Sequence, residues 1–308
     1  MRLTVIRTGG TIGCATAENG VITLDEGSSA VHFTGFETRT VTPFYELSER
    51  LGIEHYDMLL RCVRNEIGET DGMIITHGSD TLPYTASILA FALGKVDIPI
   101  VFVCSDKPLS DPMASGHQSL FSAAAFVKTG EGGVYVADGR DIHFAVRLLE
   151  ERAYEEGFFS AYDSVCARVI GLKVKFAEHV EQSDEFPPLE RLAPKKILYM
   201  KPYPDIDYGA FDTENYDCVL HDSYHSGTAD ERKLNEFAER CGCPLYLVGG
   251  SNGRVYSSKA GFSKAVDFID NITQPAMYAK LVVGLNRGLS GKELDKYLKT
   301  NLCGEIFA

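Results

Sequence analysis

The chain has 308 residues, 44% hydrophobic and 24% charged, an ordinary globular composition with length for about two domains that each bury a core. Its net charge of −13, with no run of Lys or Arg to neutralise a phosphate backbone, argues against nucleic acid as the main partner and fits a small-molecule enzyme. The eight cysteines are scattered with no C-x-x-C pair, against a disulfide framework or zinc site, and no apolar run reaches the ~18–20 residues of a membrane span.

In chain order, Met1-Arg2-Leu3 leads straight into an apolar strand, Leu3–Ile6. That start reads as lacking a signal peptide, and the expectation is a cytoplasmic protein. Tyr56–Asn65 reads as a helix, then Met73–Thr76 as a strand. Leu82–Leu93 follows as a helix, with Pro83 in its first turn and Gly94 as its stop. Ile98–Cys104 is the next strand, Met113–Lys128 the next helix, and Val134–Ala137 a further strand. These strands are continuous apolar runs rather than alternating ones, as in strands buried on both faces of a parallel sheet. The alternation predicts a wound α/β sheet.

Glu178–Lys196 is polar and bears prolines. It divides a catalytic α/β domain, 1–180, from a smaller α/β domain, 196–308, with 181–195 as the linker. Ile197–Met200, Cys218–His221 and Leu245–Val248 are strands of the second domain. A last helix starts at Ser290, where Ser290-Gly291-Lys292-Glu293 reads as a capping box.

Two loops carry the chemistry. Leu3–Ile6 runs into Thr8-Gly9-Gly10-Thr11-Ile12-Gly13, at the strand end where open α/β sheets bind ligands. Its glycines permit a sharp turn and a close backbone approach, and two hydroxyls project from it. Its spacing fits neither G-x-G-x-x-G nor the P-loop, and alone it reads equally as a plain tight turn. Met73–Thr76 runs into His77-Gly78-Ser79-Asp80-Thr81 just before a helix, whose unpaired N–H groups suit a developing oxyanion. Helix capping by Ser79, Asp80 or Thr81 explains part of this pattern, but not two hydroxyl-rich loops at two strand ends.

Together the two loops resemble the T-G-G-T-I and H-G-T-D-T motifs of the bacterial asparaginase/glutaminase family. Ser105–Gly116 is similar to the family's third-strand loop, and Asn301–Ile306 to its N-L-x-G-E-[LI] finish. The resemblance spans the chain and is greatest to the shorter, cytoplasmic type I enzymes. It implies a two-domain asparaginase-like fold and cofactor-free, two-step hydrolysis of an amino-acid amide. It also implies a homodimer or homotetramer, without nucleic-acid or membrane partners.

By position Thr11 matches the nucleophile, Ser79 the second hydroxyl (normally Thr), and Asp80 the carboxylate that meets the substrate α-amino group. Backbone N–H groups around Thr11 and Ser79, flanked by Gly10 and Gly78, are expected to form the oxyanion hole. Ser48 matches a serine that binds the α-carboxylate, and Glu49 falls at a position often polar or acidic, where it can pair with the ammonium; an N-cap and an exposed helix residue are the alternative reading.

Two family residues are unmatched. Val21 stands where a tyrosine assists the threonine. Spacing from Ile142-His143 and from Phe159 puts Glu150 at the place of a lysine, and no lysine occurs between Lys128 and Lys173. Arg147 and Arg152 offer charge but not a base. His143 offers a base on pKa grounds, but reads first as an ordinary strand histidine. Asn252, Tyr256, Ser257 and Lys259 lie in a region that approaches a partner's site in related enzymes; Lys259 is a conceivable substitute but reads first as a solvated loop lysine. His221, Asp222 and His225 suggest a metal site only superficially, and Cys14 reads as buried filler. A lapsed relative that senses an amino acid, and a hydrolase of another amide, stand as alternatives.

Overall fold

The computed structural model describes residues 1–27, 33–149, 157–158, 160–250 and 256–307. Glu150, Arg152, Phe159 and Asn252 lie outside these described residues. The chain forms two compact units, Met1–Ala193 with Leu302–Gly304, and Pro194–Asn301 with Glu305–Ala308.

In the first unit, β1 (Arg2–Arg7) leads to a hairpin of β2 (Cys14–Thr16) and β3 (Ile22–Leu24), then to β4 (Glu37–Val41). Helix α1 (Ile53–Glu66), β5 (Met73–Thr76), α2 (Leu82–Leu93), β6 (Pro99–Val103), α3 (Gly116–Val127) and β7 (Gly133–Asp138) continue the winding. An antiparallel extension of β8 (Asp141–Phe144), β9 (Ala167–Ile170) and β10 (Lys173–Phe176) completes an eight-stranded sheet of order β10-β9-β8-β7-β6-β5-β1-β4. Strands β4, β1, β5, β6 and β7 are parallel.

Strands β5 and β6 are buried at every residue, which matches their unbroken apolar runs. Strand β4 has no such run: Glu-Thr-Arg-Thr-Val is largely exposed at the sheet edge, so hydrophobic patterning does not reveal it. Helix α2 has the expected bounds, with Gly94 at φ 66° after its last turn.

The helix expected at Met113–Lys128 begins at Gly116 instead. Side chains hold the preceding residues in a loop: Met113 N–H donates to Asp111 Oδ1 at 2.8 Å, and Ser115 N–H to Asp106 Oδ1 at 2.7 Å. Such local bonds compete with helix formation.

Residues 181–193, expected as linker, are tied into the first unit. Gln182 Nε2 donates to the carbonyls of Val96 and Gly132, and Leu189 N–H to that of Ala92. Arg147, considered above as a source of charge, is buried and makes a bidentate pair with Glu178 at 2.7 and 2.9 Å. Its Nε also donates to Gly304 O at 2.6 Å, and together these bonds fasten the returning C-terminal segment.

The second unit has a four-stranded parallel sheet, β11 (Ile197–Met200), β12 (Cys218–Asp222), β13 (Leu245–Gly249) and β14 (Val266–Asp270), in sequence order. Its helices are α4 (Glu231–Arg240), α5 (Ser257–Ala260), α6 (Gln274–Asn286) and α7 (Gly291–Lys299). Helix α7 starts after Ser290 as expected, but the capping box does not form: no side chain caps it, and Glu293 N–H bonds the Ser290 carbonyl. Among the described residues no group of acids, Cys and His is arranged to hold a metal. His221 instead bonds Tyr208 Oη at 2.9 Å and the Asp222 carbonyl at 2.5 Å. No helix among the described residues is long and apolar enough to cross a membrane.

Candidate active site

Strands β1 and β5 are parallel neighbours. The chain leaves β1 toward β4 on one side and β5 toward β6 on the other, so the two loops diverge and open a crevice at the strand ends.

The first loop is fastened at its base. Thr8 is buried, and its Oγ1 donates to the Thr76 carbonyl at 2.7 Å, at the start of the second loop. Gly9 and Gly10 have φ of 101° and 74°, which disfavour any side chain. The segment 44–50 lies alongside: Glu46 N–H donates to Thr8 O at 2.9 Å, and Gly10 N–H to Glu46 O at 3.0 Å. A Cβ on Gly9 would stand 2.3 Å from the Glu46 carbonyl oxygen. Thr11–Gly13 then forms a 3-10 turn.

The two loops meet glycine to glycine. A Cβ on Gly10 would lie 2.3 Å from Gly78 N, and one on Gly78 would lie 2.4 Å from Ser48 Oγ. Gly10, Gly78 and Ser48 are therefore stacked in direct contact. We expect Gly78→Ala to lower activity by at least about tenfold by forcing these elements apart. Steady-state kinetics beside a melting curve check this.

The expected site residues fall around the stack. Ser48 is buried and its Oγ donates to Asp80 Oδ2 at 3.2 Å. Thr81, expected as a possible side-chain cap, instead donates its hydroxyl to the Ser48 carbonyl at 2.9 Å, and no side chain caps α2. Asp80 and Glu49 are exposed. Thr11 and Ser79 are half-buried, and neither hydroxyl has a hydrogen-bond partner among the described residues. Both are hydroxyls set beside a pinned backbone and uncommitted to structure. The backbone N–H groups of Thr11 and Ser79 likewise have no acceptor among the described residues.

Cys14 is buried, as a filler would be, and its Sγ donates to the Gly10 carbonyl at 3.3 Å. Burial and then the Glu49 carboxylate push its thiol pKa up, which disfavours the reactive thiolate. Val21 is 51% exposed on the β2–β3 hairpin and offers no hydroxyl to the site.

Sequence reasoning missed Tyr45. Its hydroxyl donates to the Gly13 carbonyl at 2.7 Å, accepts from Arg7 Nη2 at 3.2 Å, and fixes the end of the Thr11–Gly13 turn. No pattern within five residues of Tyr45 signals a bond across 32 positions. His143, the base considered above, is buried and bonded through Nδ1 to Ser160 Oγ at 2.7 Å. In the second unit, Tyr256 is exposed and Ser257 opens α5. Lys259 is held by Asp270 at 2.6 and 2.8 Å and lies over the Phe268 ring at 4.2 Å, neither a solvated loop lysine nor an uncommitted amine.

Burial lowers the pKa of His77 in the first unit and His221 in the second to about 4. Both are neutral in the fold and take up a proton near pH 6.5 when unfolded. Each unit is thus fully stable above about pH 6.5 and loses up to about 3 kcal/mol from its histidine as pH falls toward 4. Urea midpoints measured from pH 7.5 to 4 are expected to fall across that window.

The family profile described as Asparaginase, N-terminal matches residues 2–182. The L-asparaginase of Thermococcus kodakarensis is 33% identical over 145 residues, a match that covers 44% of this chain and only 44% of that enzyme. A glutamyl-tRNA(Gln) amidotransferase chain of Methanopyrus kandleri is 23% identical, over 99% of this chain and 74% of its own length. Among solved structures, the Thermococcus kodakarensis enzyme superposes with a TM-score of 0.85 at 23% identity, covering both chains completely. A probable cytoplasmic L-asparaginase of Campylobacter jejuni gives a TM-score of 0.76 at 20% identity, over 97% of this chain and 99% of that one.

Proposed function

The chain belongs to the asparaginase family, and from that premise we propose that it hydrolyses the side-chain amide of L-asparagine to aspartate and ammonia. The observation that carries the reading is the Gly10–Gly78–Ser48 stack, which sets two unbonded hydroxyls, Thr11 and Ser79, on adjoining pinned loops. Thr11 is the nucleophile and forms an ester with the substrate acyl group. The N–H groups of Thr11 and Ser79 stabilise the oxyanion. The Ser79 hydroxyl, next to Asp80, serves the proton transfers to the leaving nitrogen and from the incoming water.

Asp80 and Glu49 supply the negative charge that receives the substrate ammonium, and Ser48 orients Asp80 and meets the carboxylate. No cofactor is invoked. The enzyme acts in the cytoplasm on this reading, in keeping with the Campylobacter jejuni protein's description, and as a homo-oligomer. The serine at position 79 and the amidotransferase relative favour a second reading, in which glutamine or another amide is the preferred ammonia donor.

Ammonia release from asparagine, glutamine and a panel of related amides tests the proposal. Turnover of asparagine is expected. A folded protein that binds aspartate and turns over none of the panel is instead an amino-acid sensor.

A further inference from the structure

His77 follows β5 and is wholly buried, its ring edge-on to Phe102 at 5.8 Å. Its Nδ1 stands 2.7 Å from the Gly78 carbonyl oxygen. A carbonyl only accepts, so Nδ1 carries the proton, and burial keeps the ring neutral. Nε2 is then a bare acceptor, buried without a partner among the described residues. Burying an unpaired acceptor is unfavourable, and an apolar side chain of similar volume avoids it. What the imidazole adds over such a side chain is the bond to Gly78.

That bond sets the direction of a peptide. The Gly78–Ser79 linkage is trans, so its C=O and N–H point opposite ways. With the carbonyl turned toward buried His77, the Ser79 N–H is turned away from the core, and it has no acceptor among the described residues. Gly10 and Ser48 pack against Gly78 where a side chain would stand.

We infer that His77 is a positioning residue, whose Nδ1–H bond to Gly78 locks the peptide that presents the Ser79 N–H to the oxyanion. The inference rests on the amidohydrolase reading above. Attack by Thr11 Oγ forms a C–O bond and moves the carbonyl π pair onto oxygen, where the Ser79 N–H receives it. As that pair returns, the C–N bond breaks and nitrogen leaves as ammonia with the threonine proton. A peptide free to rotate loses this donor when the charge appears.

The test compares His77→Asn, whose amide nitrogen falls near the Nδ1 place, with His77→Gln, which reaches toward Nε2, and His77→Leu. On asparagine we expect kcat to fall at least about 100-fold in the Gln and Leu variants, with KM within about threefold, and the Asn variant to stay within about tenfold of wild type. Wild-type kcat in His77→Leu overturns the inference, as does a kcat that follows melting temperature across all three variants regardless of the donor. Nitrogen-15 NMR of the wild-type imidazole reads the tautomer directly. An Nε2-protonated ring overturns the inference whether or not the variants fold. If the wild type releases no ammonia, the amidohydrolase reading falls on its own, and the NMR still decides whether Nδ1 holds Gly78.

Discussion

Thr11→Ala is expected to lower kcat for amide hydrolysis by at least about 1,000-fold while aspartate still binds. On the proposed roles binding depends on Ser48, Asp80 and Glu49, and the Thr11 hydroxyl has no hydrogen-bond partner among the described residues. Loss of that hydroxyl therefore removes the proposed nucleophile and leaves the stack of Gly10, Gly78 and Ser48 intact. Ser79→Ala is expected to cost less, about 100-fold, because it removes a proton-carrying hydroxyl but keeps the Ser79 N–H. Stopped-time ammonia assays give kcat, and calorimetry with aspartate gives the binding. A Thr11→Ala enzyme with near-wild-type turnover assigns the chemistry to another group.

The largest expected effect on stability is in the second unit. Lys280 and Glu305 are both fully buried and pair at 2.6 Å. Lys280 Nζ also donates to the carbonyls of Leu298 at 3.1 Å and Thr300 at 2.6 Å, so its three protons are all satisfied. Those carbonyls lie at the end of α7, where a cation also suits the helix dipole. Lys280→Met removes the cationic partner of the buried Glu305 carboxylate and is expected to destabilise the unit by about 3–5 kcal/mol. The double variant Lys280→Met, Glu305→Leu is expected to regain much of that loss, because no charge is left buried. Urea denaturation of the full chain followed by circular dichroism measures both. A single variant as stable as wild type contradicts the assignment.

The two-domain α/β fold was legible wherever apolar runs are continuous. Strands β5 and β6 and helix α2 are buried almost throughout, and burial on both faces leaves a strong sequence signal. Strand β4 was not legible, because its largely exposed Glu37–Val41 forms a strand through pairing with β1 rather than through its own hydrophobicity. The start of α3 was obscured by Asp106, Asp111 and Ser115, whose side chains hold backbone groups in a loop.

The loops of the site were legible because close backbone approach demands glycine and leaves it in the sequence at Gly9, Gly10 and Gly78. Their neighbours were not. Tyr45 reaches Gly13 across 32 residues, and the commitments of Arg147 to Glu178 and of Lys259 to Asp270 depend on tertiary contacts. A charged residue in a sequence carries no mark of whether a partner has already claimed it. Histidine behaves the same way: His77, His143 and His221 look alike as letters, yet His77 and His221 each bond the carbonyl of the next residue, and His143 a serine hydroxyl.

On the proposed function an acyl group passes through Thr11. Mass spectrometry of enzyme acid-quenched during asparagine turnover tests it most directly. A β-aspartyl adduct on the peptide that contains Thr11, absent from Thr11→Ala, is the predicted result. An adduct on the peptide that contains Ser79, or steady ammonia release from Thr11→Ala, would contradict it.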